Sequence, residues 1–314
     1  MGTRLRAGRM ATSGFRSFII ARLDRTRTGD FVYLACLLLI TGVPMSACHA
    51  NDDPQSDALI VEAEEAFGQG NHERALTLLD QAIEAVPDEL AYRLKRASLH
   101  DHLRQHELAV RDCDTILEQS PDRVDVLQLR GSAKFKLGDI KGSIQDFDAA
   151  IKLKPRLEIR HWQRGISYYY AGKFAAGARQ FQLYQTYDGG DVENIVWRFV
   201  CQARTDGVEP ARRDIMRLES PDPRVPMAEI YDLFRDRAVI EDVLEAARRG
   251  DPDEESLKTQ LFYAHLYIGL YLEATGHADL AAQHLQEADR REISHYMWDV
   301  AHVHAQRIRD KVDE

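Results

Sequence analysis

PDRVDVLQLRGSAKFKLGDIKGSIQDFDAAIKLKP (residues 121–155) is the stretch from which the whole chain can be read. It opens on Pro121 and closes on Pro155, 34 residues apart, and Pro87 stands one further interval of 34 upstream. Gly131 belongs to a column of small residues, Ala63, Ala97, Gly131 and Gly165, and Ser143 to a second, Ala75, Ala109, Ser143 and Gly177. Phe147 belongs to a column of mostly large apolar residues, Leu79, Cys113, Phe147 and Phe181. Columns that keep one phase at one period are the mark of a repeat architecture.

Within each period the columns fall on two amphipathic segments of about a dozen residues. Small side chains let paired helices approach closely and bulky ones fill the seam, so each unit is a helical hairpin. Gly70, Gly138 and Gly172 stand where the chain reverses between the two helices, with Arg104 in that place in unit two. The prolines follow the second helix, which they cannot continue.

These residues resemble the tetratricopeptide repeat (TPR) family, which is small at its eighth and twentieth positions and large at its twenty-fourth. The family also has Ala at the twenty-seventh position (Ala82, Ala150) and Pro at the thirty-second. The resemblance covers residues 57–190 as units one to four and returns in Gly269, Gly276, Ala281, Leu285 and Ala288. It implies an all-α TPR helical-hairpin solenoid with a non-repeat helical insertion over 191–258. A late fifth TPR-like hairpin and a C-terminal capping helix then occupy 259–314. In the insertion, Ile195, Val196, Phe199, Val200 and Ala203 mark one apolar stripe and Ile240, Val243, Leu244 and Ala247 another. The prolines between Ser220 and Pro226 mark a boundary between two helical lobes. The last helix, capped by Ser294, puts Met297, Ala301 and Ile308 on one face and closes the open end of the stack.

Composition removes other classes. The 314 residues are 44% hydrophobic and 29% charged, enough for a sizeable core. Residues 1–48 hold seven Arg against Asp24 and Asp30, so the remainder carries a net charge of −15, which argues against a nucleic-acid partner. The apolar run from Phe31 to Pro44 after Arg-rich sequence reads as a signal peptide over 1–48. Its end, Met45-Ser46-Ala47-Cys48, resembles the bacterial lipobox, which implies lipidation at Cys48 and a membrane anchor, most naturally to the outer membrane facing the periplasm. Cleavage after Ala50 and an uncleaved anchor are the alternatives. Residues 49–56 read as a solvated tether, and Cys113 and Cys201 as two buried free thiols.

In the TPR family the first helix of each hairpin lines a concave, peptide-facing side. The resemblance places there Asp57, Ile60, Glu64 and Phe67 from unit one, and Ala91, Leu94, Ser98, Asp101 and His102 from unit two. Unit three contributes Asp125, Gln128, Ser132, Phe135 and Lys136, and unit four Ile159, Trp162, Ile166, Tyr169 and Tyr170. The peptide-binding candidates are Phe67, Leu94, Phe135, Trp162, Ile166, Tyr169 and Tyr170, with Trp162 and Tyr169 expected to be open to a partner because such aromatics dominate binding energy. The competing reading packs part of this aromatic surface against the helices after residue 190. The Lys and Asn that clamp a partner's C-terminal carboxylate in one TPR subclass are replaced by residues such as Ile60, Glu64, Leu94 and Ser98.

No nucleophile elbow, zinc-protease helix motif or phosphate loop occurs, and nothing calls for a cofactor. His102 and His106, beside His100 and Glu107, and His295, Asp299 and His302 have metal-ligand spacing but read as solvated polar faces. The chain therefore reads as a non-enzymatic scaffold for protein or peptide partners, with a pilotin-like assembly factor and a metal-dependent hydrolase as alternatives. The layout, together with Asn194-Ile-Val-Trp-Arg-Phe199 and Leu266-Tyr-Ile-Gly-Leu-Tyr271, resembles the bacterial outer-membrane TPR lipoproteins that adapt cell-wall hydrolases to a periplasmic protease. That resemblance implies a homodimer and capture of peptidoglycan endopeptidases.

Overall fold

The computed structural model describes residues 54–312, so the signal segment, Cys48 and residues 49–53 of the tether lie outside the described residues. Pro54–Ser56, read from sequence as tether, already belong to the first helix, and Ser56 is fully buried. Four hairpins follow one another: α1 (Pro54–Gly68) with α2 (His72–Ala85), α3 (Leu90–His102) with α4 (His106–Gln119), α5 (Val124–Lys136) with α6 (Ile140–Leu153), and α7 (Trp162–Tyr170) with α8 (Phe174–Tyr184). Then come α9 (Val192–Asp206), α10 (Val208–Arg213), α11 (Met227–Phe234) and α12 (Ile240–Ala246). The fifth hairpin is α13 (Glu254–Ala274) with α14 (Ala278–Asp289), and α15 (Tyr296–Val312) ends the described chain. The solenoid is all helical among the described residues.

The small-residue columns act by contact. A Cβ on Gly131 would lie 2.8 Å from Phe147 Cε1 and one on Gly165 2.7 Å from Phe181 Cζ, so the paired helices touch through glycine faces. Gly269 repeats the device against Leu285 in the fifth hairpin, at 2.6 Å. Where each hairpin reverses, the backbone enters the left-handed region, at φ +76°, +80° and +71° for Gly70, Gly138 and Gly172. Arg104 adopts the same conformation at φ +59° although it carries a side chain.

A polar column accompanies the apolar ones. Arg96 in α3 reaches back 2.6 Å to Asp80 of the preceding hairpin and binds Asp112 of its own hairpin through Nε and Nη2, at 2.8 and 2.6 Å. Arg130 does the same one period later, with Asp114 behind it at 2.6 Å and Asp146 at 2.8 and 2.6 Å. Arg164 keeps Asp148 at 2.7 Å, but Gln180 replaces the second aspartate. Asp112 and Asp146 are buried, which makes each fork a paired internal charge bridging two repeats.

Unit four departs from the sequence reading. Its first helix starts at Trp162 because Pro155–Arg160 forms a 3₁₀ turn, so Ile159 is not on the helix. Gln180 stabilises that turn by donating to the Glu158 carbonyl at 2.7 Å, and buried His161 packs on Phe147 at 4.5 Å between ring centres. Beyond it, every residue from Val192 to Cys201 in α9 is buried, as expected of a helix enclosed on all sides. One hydrophobic cluster runs from Phe135 through α9, α11 and α13 to Val303, so the prolines between Ser220 and Pro226 do not separate two lobes. That loop is instead pinned by Arg224, which pairs with Asp191, Glu193 and Asp222.

Two local expectations shift. The fifth hairpin begins at Glu254, where Asp253 accepts the Ser256 amide at 2.8 Å. The last helix begins at Tyr296, and the Met297 N–H donates to His295 Nδ1 at 3.2 Å, so the start signal lies one residue past Ser294. Cys113 and Cys201 are free and buried, and burial pushes both thiols above the ordinary cysteine range.

Candidate functional site

The peptide-facing side expected from the sequence is formed by the first helix of each hairpin, and α15 packs against part of it. Tyr296 stacks on Phe135 at 5.7 Å between ring centres and meets Trp162 edge-on at 5.1 Å. The Tyr170 hydroxyl reaches His304 Nδ1 at 3.0 Å and the Val300 carbonyl at 3.3 Å, and Arg307 donates to the Tyr170 carbonyl at 2.8 Å. Tyr169 lies edge-on to Trp197 of α9 and donates to Glu273 at 2.9 Å. The last helix thus covers the aromatic surface of units three and four as well as packing on the fifth hairpin.

Of the sequence-derived candidates, Phe135, Ile166, Tyr169, Tyr170 and Leu94 are buried, and Phe67 and Trp162 are half-buried. The expectation that Tyr169 faces a partner is overturned, because α9 and α13 enclose it. Phe67 joins a ring cluster in which His102 meets both Phe67 and His72 edge-on. Among the exposed or half-buried positions of the same face are Ala91 in unit two and Gln128 in unit three.

The seal of α15 on the repeats is electrostatic as well as aromatic. Arg104, at its left-handed turn, reaches Asp299 and Glu292, the latter at 2.9 Å, and its guanidinium lies 3.9 Å over the Trp298 ring. Lys136 of unit three bonds Asp101 at 2.7 and 2.9 Å and stands 3.8 Å from Asp299, so hairpins two and three and α15 share one network. Burial alone would raise the Asp101 carboxyl, but Lys136 and His106 hold it down to about 2. Glu273 behaves alike: burial opposes its charge, and His304 and Tyr169 bring it to about 2.

The histidine groupings separate. His106 pairs with Asp101 at 3.0 Å, His302 pairs with Asp289 at 2.8 Å and stacks on Trp298, and His295 meets Tyr263. Asp299 is committed to Arg104. Among the described residues no three His, Cys, Asp or Glu side chains are grouped so as to hold a metal ion.

Tetratricopeptide repeat models match residues 60–124 and 124–157. Over these residues the chain is similar to tetratricopeptide repeats. A solved tetratricopeptide repeat protein from Parabacteroides merdae is 13% identical, with 79% of this chain and 97% of that one covered, at a TM-score of 0.54. A thermophilic TPR protein of Thermus thermophilus is 14% identical over 70% of this chain and 98% of its own, with a TM-score of 0.40. The Rap conjugation gene regulator of plasmid pLS20, solved with a Phr peptide, is 14% identical over 89% and 86%, at 0.45. The likeness to the Parabacteroides protein is one of fold.

The Arg96, Arg130 and Arg164 column was visible at the 34-residue period and escapes a reading that follows apolar residues alone. Arg104 carried its own signal as the one non-glycine among the first four turns.

Proposed function

We propose that the protein is a non-enzymatic interaction scaffold of the bacterial cell envelope that docks partner proteins or peptides on the open part of its concave face. In this reading the N-terminal segment directs export and lipid on Cys48 anchors the chain to the outer membrane, with cell-wall hydrolases and a periplasmic protease as the partners. The observation that supports docking is the division of the repeat face: α15 covers Phe135 of unit three and Trp162 of unit four, while Ala91 of unit two is exposed and Gln128 of unit three half-buried. Stacked helical hairpins that bring no metal-holding group of His, Cys, Asp or Glu together among the described residues are suited to holding other molecules in place. No described helix is long and apolar enough to cross a membrane, and the anchor in this proposal is the lipid alone.

Capture of envelope proteins on the full chain, followed by affinity measurements with each captured protein in purified form, tests the scaffold. Ala91→Arg and Gln128→Arg should each weaken at least one partner about tenfold with an unchanged helical circular dichroism spectrum. Wild-type affinity for every partner in both variants would move docking off this face. Cys48→Ser should release the chain from membranes, and its retention there would remove the lipid anchor.

A further inference from the structure

Beside Trp162, where α7, α9 and the loop before α11 converge, lies a narrow cleft open to solvent. Its walls are aromatic, from Trp162, Tyr184 and Trp197, and one side is acidic, from Asp191 and Glu193 at the start of α9. Arg224 enters from the proline loop and serves Asp191 at 2.8 Å, Glu193, and Asp222 at 2.6 Å. Three carboxylates therefore share one guanidinium. Each carboxylate has a further neutral donor, Asp222 the backbone N–H groups of Val192 and Arg224 at 3.3 and 3.1 Å, Asp191 the Glu193 N–H at 3.0 Å and Glu193 the Tyr267 hydroxyl, but one guanidinium leaves net negative charge on the cluster. Burial pushes the Asp191 carboxyl up to about 7, with Glu193 and Asp222 adding to the rise and Arg224 opposing it. Buried carboxylates in this state gain from a second cation.

Two further groups point to a ligand. Asn194 is 2% exposed and lines the cleft. Its amide nitrogen donates to the Phe181 carbonyl at 3.1 Å and to Gln185 at 3.2 Å, which orients the amide and leaves Oδ1 as an acceptor without a partner among the described residues. Trp197, also 2% exposed and in the same wall, has its indole N–H unpartnered among the described residues. A matching ligand carries a delocalised cation for the carboxylates, the amide oxygen and the ring faces, and an acceptor oxygen for the indole. An arginine residue within a peptide has both, and its planar, weakly hydrated guanidinium suits an aromatic and acidic cleft better than a lysine ammonium.

We propose that this cleft receives an arginine side chain of a docked peptide, with Asp191, Glu193 and Asn194 Oδ1 accepting from the guanidinium and Trp197 donating to a peptide carbonyl. The assignment rests on the scaffold reading only for the source of the arginine. Acetyl-arginine methylamide titrated into the full chain, followed by calorimetry and by tryptophan fluorescence, tests it. Binding at or below about 1 mM is expected, with the neutral citrulline isostere and the lysine analogue each at least about tenfold weaker. Asp191→Asn should lose about tenfold while keeping the Glu193 amide capped and the melting temperature unchanged. No binding of the arginine amide at about 10 mM, or equal binding of the citrulline or lysine amide, overturns the assignment. These readouts need no partner protein: arginine binding without any captured partner would sink the scaffold and leave the cleft, and partners held equally by Asp191→Asn would place the cleft outside the interface.

Discussion

Units one to three and the chain from unit four onward share one hairpin geometry but hold it together differently. In the first three units, apart from Phe135 at the edge of the large cluster, the apolar contacts gather in small clusters, one around Ile60, Ala75 and Leu79 and one around Cys113, Ile116 and Val126. Arg–Asp forks tie successive repeats across them. From unit four, the second aspartate becomes Gln180 and one large cluster takes over, with Trp197, Phe199, Phe234 and Phe262 fully enclosed. A repeat joined to its neighbours by local forks behaves as a nearly independent module, whereas a shared aromatic core makes its elements unfold together.

The largest break in this contrast should come from Trp197→Ala. Removing this enclosed ring should cost about 4 kcal/mol and lower amide protection in α9, α11, α13 and α15 together, with units one and two little affected. Hydrogen exchange with a denaturant series reads both. Loss of protection confined to α9 would deny that the C-terminal part is one cooperative body.

Arg130→Ala tests the other side. It strips buried Asp146 of its forked partner, leaving Lys134 at 2.9 Å, and should cost about 3 kcal/mol, with exchange rising first at the seam of units two and three. Equal loosening throughout the chain would contradict a modular N-terminal half.

Arg104→Gly probes the joint between the halves. Glycine relieves the left-handed backbone, but Asp299 and Glu292 lose their guanidinium, for a net loss of about 2 kcal/mol. Amides of α15 should exchange faster while those of α9 stay protected. Unchanged protection of α15 would mean that its aromatic contacts alone seal it.

Acid acts on both regions in sequence. Burial, with Arg164 assisting, pushes His161 down to about 3, so the native form stays neutral while an unfolded histidine takes up a proton near 6.5. Its contribution is complete above pH 6.5 and declines below, by about 1 kcal/mol at pH 5.5. Asp101 and Glu273, held to about 2, contribute fully above about pH 4.5 and lose that contribution as pH falls toward 2, which loosens α15. Urea midpoints at successive pH values measure the first window and exchange in α15 the second. A flat midpoint between pH 7 and 5.5 would contradict the neutral burial of His161.

The hairpins were legible because their columns recur: Gly131 and Phe147 state a close helix pair by composition and spacing alone. The seat of α15 was not, since Met297, Ala301 and Ile308 define an apolar face without naming what it meets. Its contacts with Phe135 and Trp162 span more than a hundred residues of sequence, and no local pattern encodes them. Tyr169 and Tyr170 looked like a partner surface for the same reason. The proline loop misled differently: Ser220–Pro226 has a linker's composition, but Arg224 within it inserts among three carboxylates.

The forks also carry a direction. Arg96 and Arg130 each meet an aspartate sixteen positions behind and another sixteen ahead, and Glu62 occupies the place one period before Arg96. A second copy of residues 104–137 spliced in after Leu137 would satisfy this rule on both flanks: the original Arg130 would find the copied Asp112, and the copied Arg130 the native Asp146. The chain is written so that it can be lengthened in its middle without new chemistry.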